Sequence, residues 1–255
     1  MTFWRNPLAG WALALLGIAL FTWLGFWQLD RMHEKQAMLD AVAAVLHDRQ
    51  PVPLSRAADA GQARDYDWSA GDGHFADLPA ILLDNQGRND RVGVRAYRVF
   101  QPGTGAPLLV ELGWLPLPGD RRMPAVPLPA GVDQVAGLLA PPPSAGLARG
   151  VPVPACPPPH CKSDGSRDAL LVIAIDTTLL AQTLHLQALA PRVLKLDPAQ
   201  ALPASGPAYA RGLDILPNTL PPQRHLGYAV QWFGLAVAVL VTALVLTFRK
   251  RAQRP

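Results

Sequence analysis

Two uncharged apolar runs, one near each end, constrain this 255-residue chain more than any other feature. Leu8 to Trp27 carries no charged residue, and neither does Leu226 to Phe248. At a rise of 1.5 Å per residue each run makes a helix of about 30 Å or slightly more, enough to cross the hydrocarbon core of a bilayer. Two crossings put both termini on one side of a membrane and the long middle segment on the other. The first run is longer than the apolar core of a typical signal peptide. It ends in Leu24-Gly25-Phe26-Trp27-Gln28 and not in a small-residue cleavage site, so it reads as a retained anchor.

The charge distribution orients the two crossings. Net charge is +4, yet the excess lies outside the middle segment, in Arg5, Arg249, Lys250, Arg251 and Arg254. Asp30 to Arg224 holds 18 basic residues and all 19 acidic ones, so it is nearly neutral. A basic balance confined to the tails argues for topology and against a nucleic-acid partner, which needs a clustered basic face. By the positive-inside rule the Arg249-Lys250-Arg251 cluster is cytoplasmic, which sends the middle segment outward. The expectation is a bacterial inner-membrane protein with both termini cytoplasmic and its central domain periplasmic. Its parts read as tail and first transmembrane helix (1–29), β-rich domain (30–224), second transmembrane helix (225–248) and basic tail (249–255).

Within the middle segment, helical spacing continues past the first apolar run through Met32, Met38, Leu39, Val42, Val45 and Leu46. Pro51 and Pro53 end it, and a linker rich in Ala, Asp and Arg follows to about Arg64. From Tyr66 to Ala140 short apolar stretches alternate with Gly, Pro, Asn and Asp, the pattern of strands and turns. Strands are expected at Ala80–Asp84, running into a turn at Asn85-Gln86-Gly87, and at Gly93–Gln101, Pro107–Leu115 and Val132–Leu139. A Pro/Gly-rich excursion occupies about 140–167. Leu170–Ile175 is the next strand, and Asp176 is placed to cap a short helix through Leu184. Arg192–Leu196 and Tyr209–Leu216 complete the set. No alternation of long helices with strands occurs, so the domain reads as β-dominated α+β.

Few residues can carry chemistry. His225, Tyr228, Ala229 and Trp232 share one face of the second apolar helix, and Trp23, Trp27 and Arg31 share a stripe on the first, with Gln28 one step round. The aromatics suit an interfacial belt. His225 differs, because a neutral imidazole nitrogen at the mouth of a helix pair can ligate a metal or haem iron. His33, one turn beyond the first run, is either a second ligand or a solvated residue. Cys156-Pro157-Pro158-Pro159-His160-Cys161 is the only cysteine pair and lacks the Cys-x-x-Cys-His spacing of covalent haem attachment. A disulfide, free thiols and a metal site all remain open for it. Glu111 lies in an apolar strand, either buried with a raised pKa or on a wet face. No Gly-x-Ser-x-Gly, Walker or dinucleotide motif is present, which argues against an enzyme.

The ordered motifs resemble the Surfeit locus protein 1 family. Leu24-Gly25-Phe26-Trp27-Gln28-Leu29-Asp30-Arg31, followed by Lys35, is similar to the family's N-terminal signature. Pro222, His225, Tyr228-Ala229 and Trp232-Phe233 are similar to the cluster that opens its last helix. Leu82-Leu83-Asp84-Asn85, Tyr97-Arg98-Val99 and Leu109 to Pro116 resemble its central strands in order. The chain departs at Glu111-Leu112, where the family usually has Asn-Arg before Gly-Trp, and the stretch from Cys156 to Cys161 looks like a lineage-specific insertion. The resemblance implies an assembly factor for haem-copper cytochrome c oxidase that assists delivery of haem a to subunit I. It also implies contact with the haem a synthesis machinery and a haem-binding role for His225. Tyr228, Trp232, Trp23 and Trp27 would then wall a groove for the apolar macrocycle, with Arg31 or Arg224 at the rim for its propionates. The alternative is a membrane-tethered scaffold that binds oxidase subunits or haem-synthesis enzymes without holding haem.

Overall fold

A computed structural model describes residues 7–143, 150–155, 169–203, 206–215 and 220–252. The first helix, α1, runs unbroken from Pro7 to Asp48, a length of about 63 Å at helical rise. Arg49, at φ 44°, takes the left-handed conformation that ends it, two residues before Pro51. The last helix, α3, spans Pro222–Ala252. Both are long and apolar enough to cross a membrane. Leu8, Leu16 and Trp23 on α1, and Val230, Val237 and Phe248 on α3, are exposed.

The chain divides into two compact units. One comprises Met1–Asp40 with Thr219–Pro255, and the other Ala41–Asn218. In the second unit the strands are β1 (Val52–Pro53), β2 (Asp67–Phe75), β3 (Ala80–Arg88), β4 (Arg91–Pro102), β5 (Leu108–Pro116), β6 (Gln134–Ala140), β7 (Val153–Pro154), β8 (Ala169–Val172) and β9 (Val193–Leu196). They form one sheet in the order β1-β2-β6-β9-β5-β4-β3-β8-β7, with a further pairing of β2 to β4. That pairing closes a ring of five strands, β2-β6-β9-β5-β4. The twelve-residue β4 makes closure possible, because it is long enough to serve two neighbours. Its first part pairs with β3 from Arg91 to Tyr97, and its end, Phe100–Pro102, pairs with Gly73–Phe75 of β2. Gly73 permits the seam, since a Cβ there would lie 2.2 Å from the Gln101 carbonyl oxygen.

Alternation along the strands separates two cores. Val94, Ala96 and Phe100 of β4 and Leu108, Val110 and Leu112 of β5 join one cluster with Leu139 and Leu194. Tyr97 and Val99 face the other way, toward Leu109, Val193 and the short helix α2 (Thr177–Thr183). The Asp176 carboxylate caps α2 as its position predicts, accepting from the Thr178 and Leu179 amides at 3.0 Å each. Leu180 and Ala181 are the residues α2 buries.

Three local expectations fail for physical reasons. Asn85-Gln86-Gly87 lies inside β3, where an irregularity between Leu83 and Gln86 absorbs the left-handed Asn85 at φ 56°. The hairpin instead turns at Asn89-Asp90, both with positive φ, as a two-residue loop requires. Residues 49–64 are more than a linker. They contain β1 and two 3-10 turns, Leu54–Ala58 and Ala60–Gln62, and bury Leu54 and Ala57 in the first core. In place of a strand at Tyr209–Leu216, the described residues to Ile215 carry only a bridge from Ala210 to Trp114. The Cys156/Cys161 pair lies outside the described residues.

Candidate functional site

The site forms where α1 leaves its apolar run and α3 begins its own. Pro222 suits the first position of α3, where its missing N–H costs nothing. One turn on, His225 is 8% exposed, and Ala229 and Ala236 are buried on the same face. The matching face of α1 is Phe21, Gly25 and Gln28. Phe21 stacks on Trp232 with centroids 5.7 Å apart and planes inclined by 25°. Phe26 meets Phe233 edge-on at 5.4 Å. A Cβ on Gly25 would lie 2.5 Å from the Phe233 ring, so the absent side chain is what lets the helices approach.

Polar contacts bind the pair at several depths. The His225 Nδ1 lies 2.7 Å from the Gln28 Oε1. The other ring nitrogen, Nε2, is buried and has no hydrogen-bond partner among the described residues. Lys35 Nζ donates to the Leu220 carbonyl at 2.6 Å. Toward the far ends of the helices, Trp11 Nε1 donates to Thr247 Oγ1 at 3.1 Å.

Of the residues singled out by sequence, His225 and Trp232 stand on the contact face. Trp23 is 63% exposed, Trp27 43% and Tyr228 37%. Trp23 and Trp27 each stand two residues from Gly25, about 200° round the helix, and so point away from α3. The Arg31 guanidinium lies 5.9 Å from the Trp27 ring centroid and pairs with Glu34 at 2.6 Å. His33 is exposed. The residue that sequence reasoning passed over is Phe21, which stacks on Trp232, while Gln28, noted only as lying one step round from the Trp stripe, is the partner of His225. An amide closing an otherwise apolar run was the available signal.

A second polar cluster lies in the β-sheet unit. Glu111 is buried and fits neither sequence expectation. Its carboxylate accepts from Arg95, from Lys195 Nζ at 3.0 and 3.1 Å, and from the Tyr97 hydroxyl at 3.1 Å. Burial alone would raise the carboxyl pKa, but the Lys195 ammonium and Arg95 guanidinium outweigh it and hold it below the ordinary value. Burial pushes the Tyr97 phenol well above its usual range, and Glu111 adds to that shift. The result is a neutral phenol beside a charged carboxylate held by two cations, an arrangement that positions strands. It offers no carboxylic acid with a raised pKa for proton transfer.

Fold and site together define a class of protein in which a closed β-rich unit lies, in sequence, between two apolar helices that pair through aromatic rings and a buried imidazole. The model of the SURF1 family matches residues 15–237, which include that helix contact and the sheet, and the chain belongs to this family. The family is one of cytochrome c oxidase assembly factors. No curated protein matches the chain.

Proposed function

We propose that this chain is an inner-membrane assembly factor that holds haem a transiently and passes it to subunit I of a haem-copper oxidase. The observation that carries the reading is the Nε2 of His225, a buried ring nitrogen with no hydrogen-bond partner among the described residues. Buried polar atoms are rarely left unpaired without a reason, and an iron ligand is one such reason. Haem a is cargo in this reading, an apolar macrocycle whose iron takes a neutral imidazole. Phe21 and Trp232 stack on the same contact face, about two helical turns from the His225–Gln28 pair. Tyr228, three residues on from His225, presents aromatic surface near it, and Arg31 supplies a cation for a propionate. Trp23 and Trp27 face away from α3 and do not wall the contact as the sequence suggested. Because Nε2 is closed to solvent, loading requires the side chains at the mouth of the pair to part. One axial imidazole in a site that must open suits a carrier better than a permanent holder.

Insertion of α1 and α3 in the membrane is supported by their length and apolar composition. An orientation with the tails in the cytoplasm and the β-sheet unit in the periplasm is supported by the positive-inside bias of Arg249-Lys250-Arg251. The β-sheet unit then serves as the surface for subunit I and the haem-synthesis machinery. The test is to co-express the full chain with haem a synthesis, purify it in detergent and record its visible spectrum. The wild type is expected to carry haem absorbance and His225→Ala to lose it. Unchanged absorbance in His225→Ala refutes ligation. Co-purification with oxidase subunits but no haem in the wild type makes the protein a scaffold.

A further inference from the structure

We propose that Gln28 is a positioning residue that fixes His225 as the Nδ1–H tautomer and so keeps the Nε2 lone pair available to a metal. The inference rests on the reading of His225 as a haem ligand, and it concerns a residue of the opposite helix. A neutral imidazole has one N–H and one lone pair, and its partners decide which nitrogen has which. The atom of Gln28 facing Nδ1 is the amide oxygen, at 2.7 Å. An amide oxygen only accepts, so Nδ1 must carry the proton at that distance. Nε2 is then the basic nitrogen, and it is the atom without a hydrogen-bond partner among the described residues. Ligating histidines have this arrangement, one nitrogen donating to an oxygen while the other faces the metal.

Had the amide nitrogen faced Nδ1, the proton would lie on Nε2 and the ring could not coordinate without losing it. The choice between α1 presenting an oxygen or a nitrogen therefore decides whether α3 presents a ligand. Gln28 and His225 are 197 residues apart, so the ligand is prepared only while the two helices are packed. Separating them removes the acceptor and frees the ring to exchange tautomers. A carrier that must release its cargo gains from that dependence.

The experiment uses the full-length protein in detergent, labelled with nitrogen-15 histidine and free of haem. His225 is expected to show a protonated Nδ1 and an unprotonated Nε2 in its nitrogen resonances. The nearly isosteric Gln28→Met should convert this to a mixture of tautomers and weaken binding of added ferric protoporphyrin IX by about 10–100-fold. Gln28→Glu should retain the tautomer and the binding while lowering the midpoint potential of the bound haem, because a carboxylate makes the imidazole a stronger donor. A protonated Nε2 in the wild type, or a tautomer unmoved by Gln28→Met, overturns the proposal. If His225→Ala binds the porphyrin as tightly as the wild type, ligation by His225 fails, while the resonances still decide the role of Gln28.

Discussion

At Glu111 a carboxylate occupies a buried position on a central strand, where an apolar side chain would be the simpler solution. Three partners make it tolerable: Arg95 and Tyr97 on the neighbouring strand β4, and Lys195 on β9. Removing the acid alone strands two cations, so Glu111→Leu is expected to cost about 3–5 kcal/mol, read as a lower urea midpoint. The same cluster sets a pH dependence at both extremes. The Glu111 carboxyl is held below its unfolded value, so its stabilisation is present above about pH 4.5 and is lost as pH falls through the folded value. Tyr97 is held above its own. Its contribution is whole below about pH 10 and fades as pH rises toward the folded value, because the unfolded chain ionises first. Urea midpoints from pH 2 to 11 should fall at both ends, and Tyr97→Phe should remove part of the alkaline fall. The strand around Glu111 was legible in the sequence, but its partners were not. They stand 14 to 84 residues away, beyond what local spacing reports.

Among the elements, those defined by local chemistry were the readable ones. The 3.6-residue period carried α1 through to Asp48, and Asp176 marked the start of α2. The β3–β4 turn was misplaced because Asn85 and Asn89 are equally good turn residues, and cross-strand pairing decides between them. Helix pairing in the first unit was half legible. Helical periodicity put His225, Ala229 and Trp232 on one face of α3, yet it drew attention to Trp23 and Trp27 on α1 while contact runs through Phe21, Gly25 and Gln28. Bulk marked the wrong stripe because close approach favours the smallest residue. Gly25→Ala should therefore weaken the pair by about 1–3 kcal/mol, the usual cost of overpacking. Disulfide cross-linking between cysteines placed at Phe21 and Trp232 should fall several-fold, and adding Phe233→Ala should restore it by clearing the ring that Ala meets.

On the scale of the whole molecule, closure of the ring depends on a few residues at one seam. Gly73 packs against the backbone at Gln101, and no rotamer change relieves a clash with a carbonyl. Gly73→Val is expected to cost at least about 1–3 kcal/mol. It should show first as faster amide hydrogen exchange at His74 and Gln101, which face each other across the seam, while α2 keeps its protection. The sequence announced a β-rich domain but not a closed one, because closure depends on β4 pairing with two strands that lie on the same side of it. Closure also settles how another protein can engage this unit. Strands joined in a ring offer no free backbone for an incoming strand to extend. Among the described residues the sheet ends at β1 and β7, each two residues long and each finishing in a proline that has no N–H to donate. Among the described residues, therefore, the ring and the two proline-ended strands give an incoming strand little to extend, and side chains and loops are the surface left for recognition.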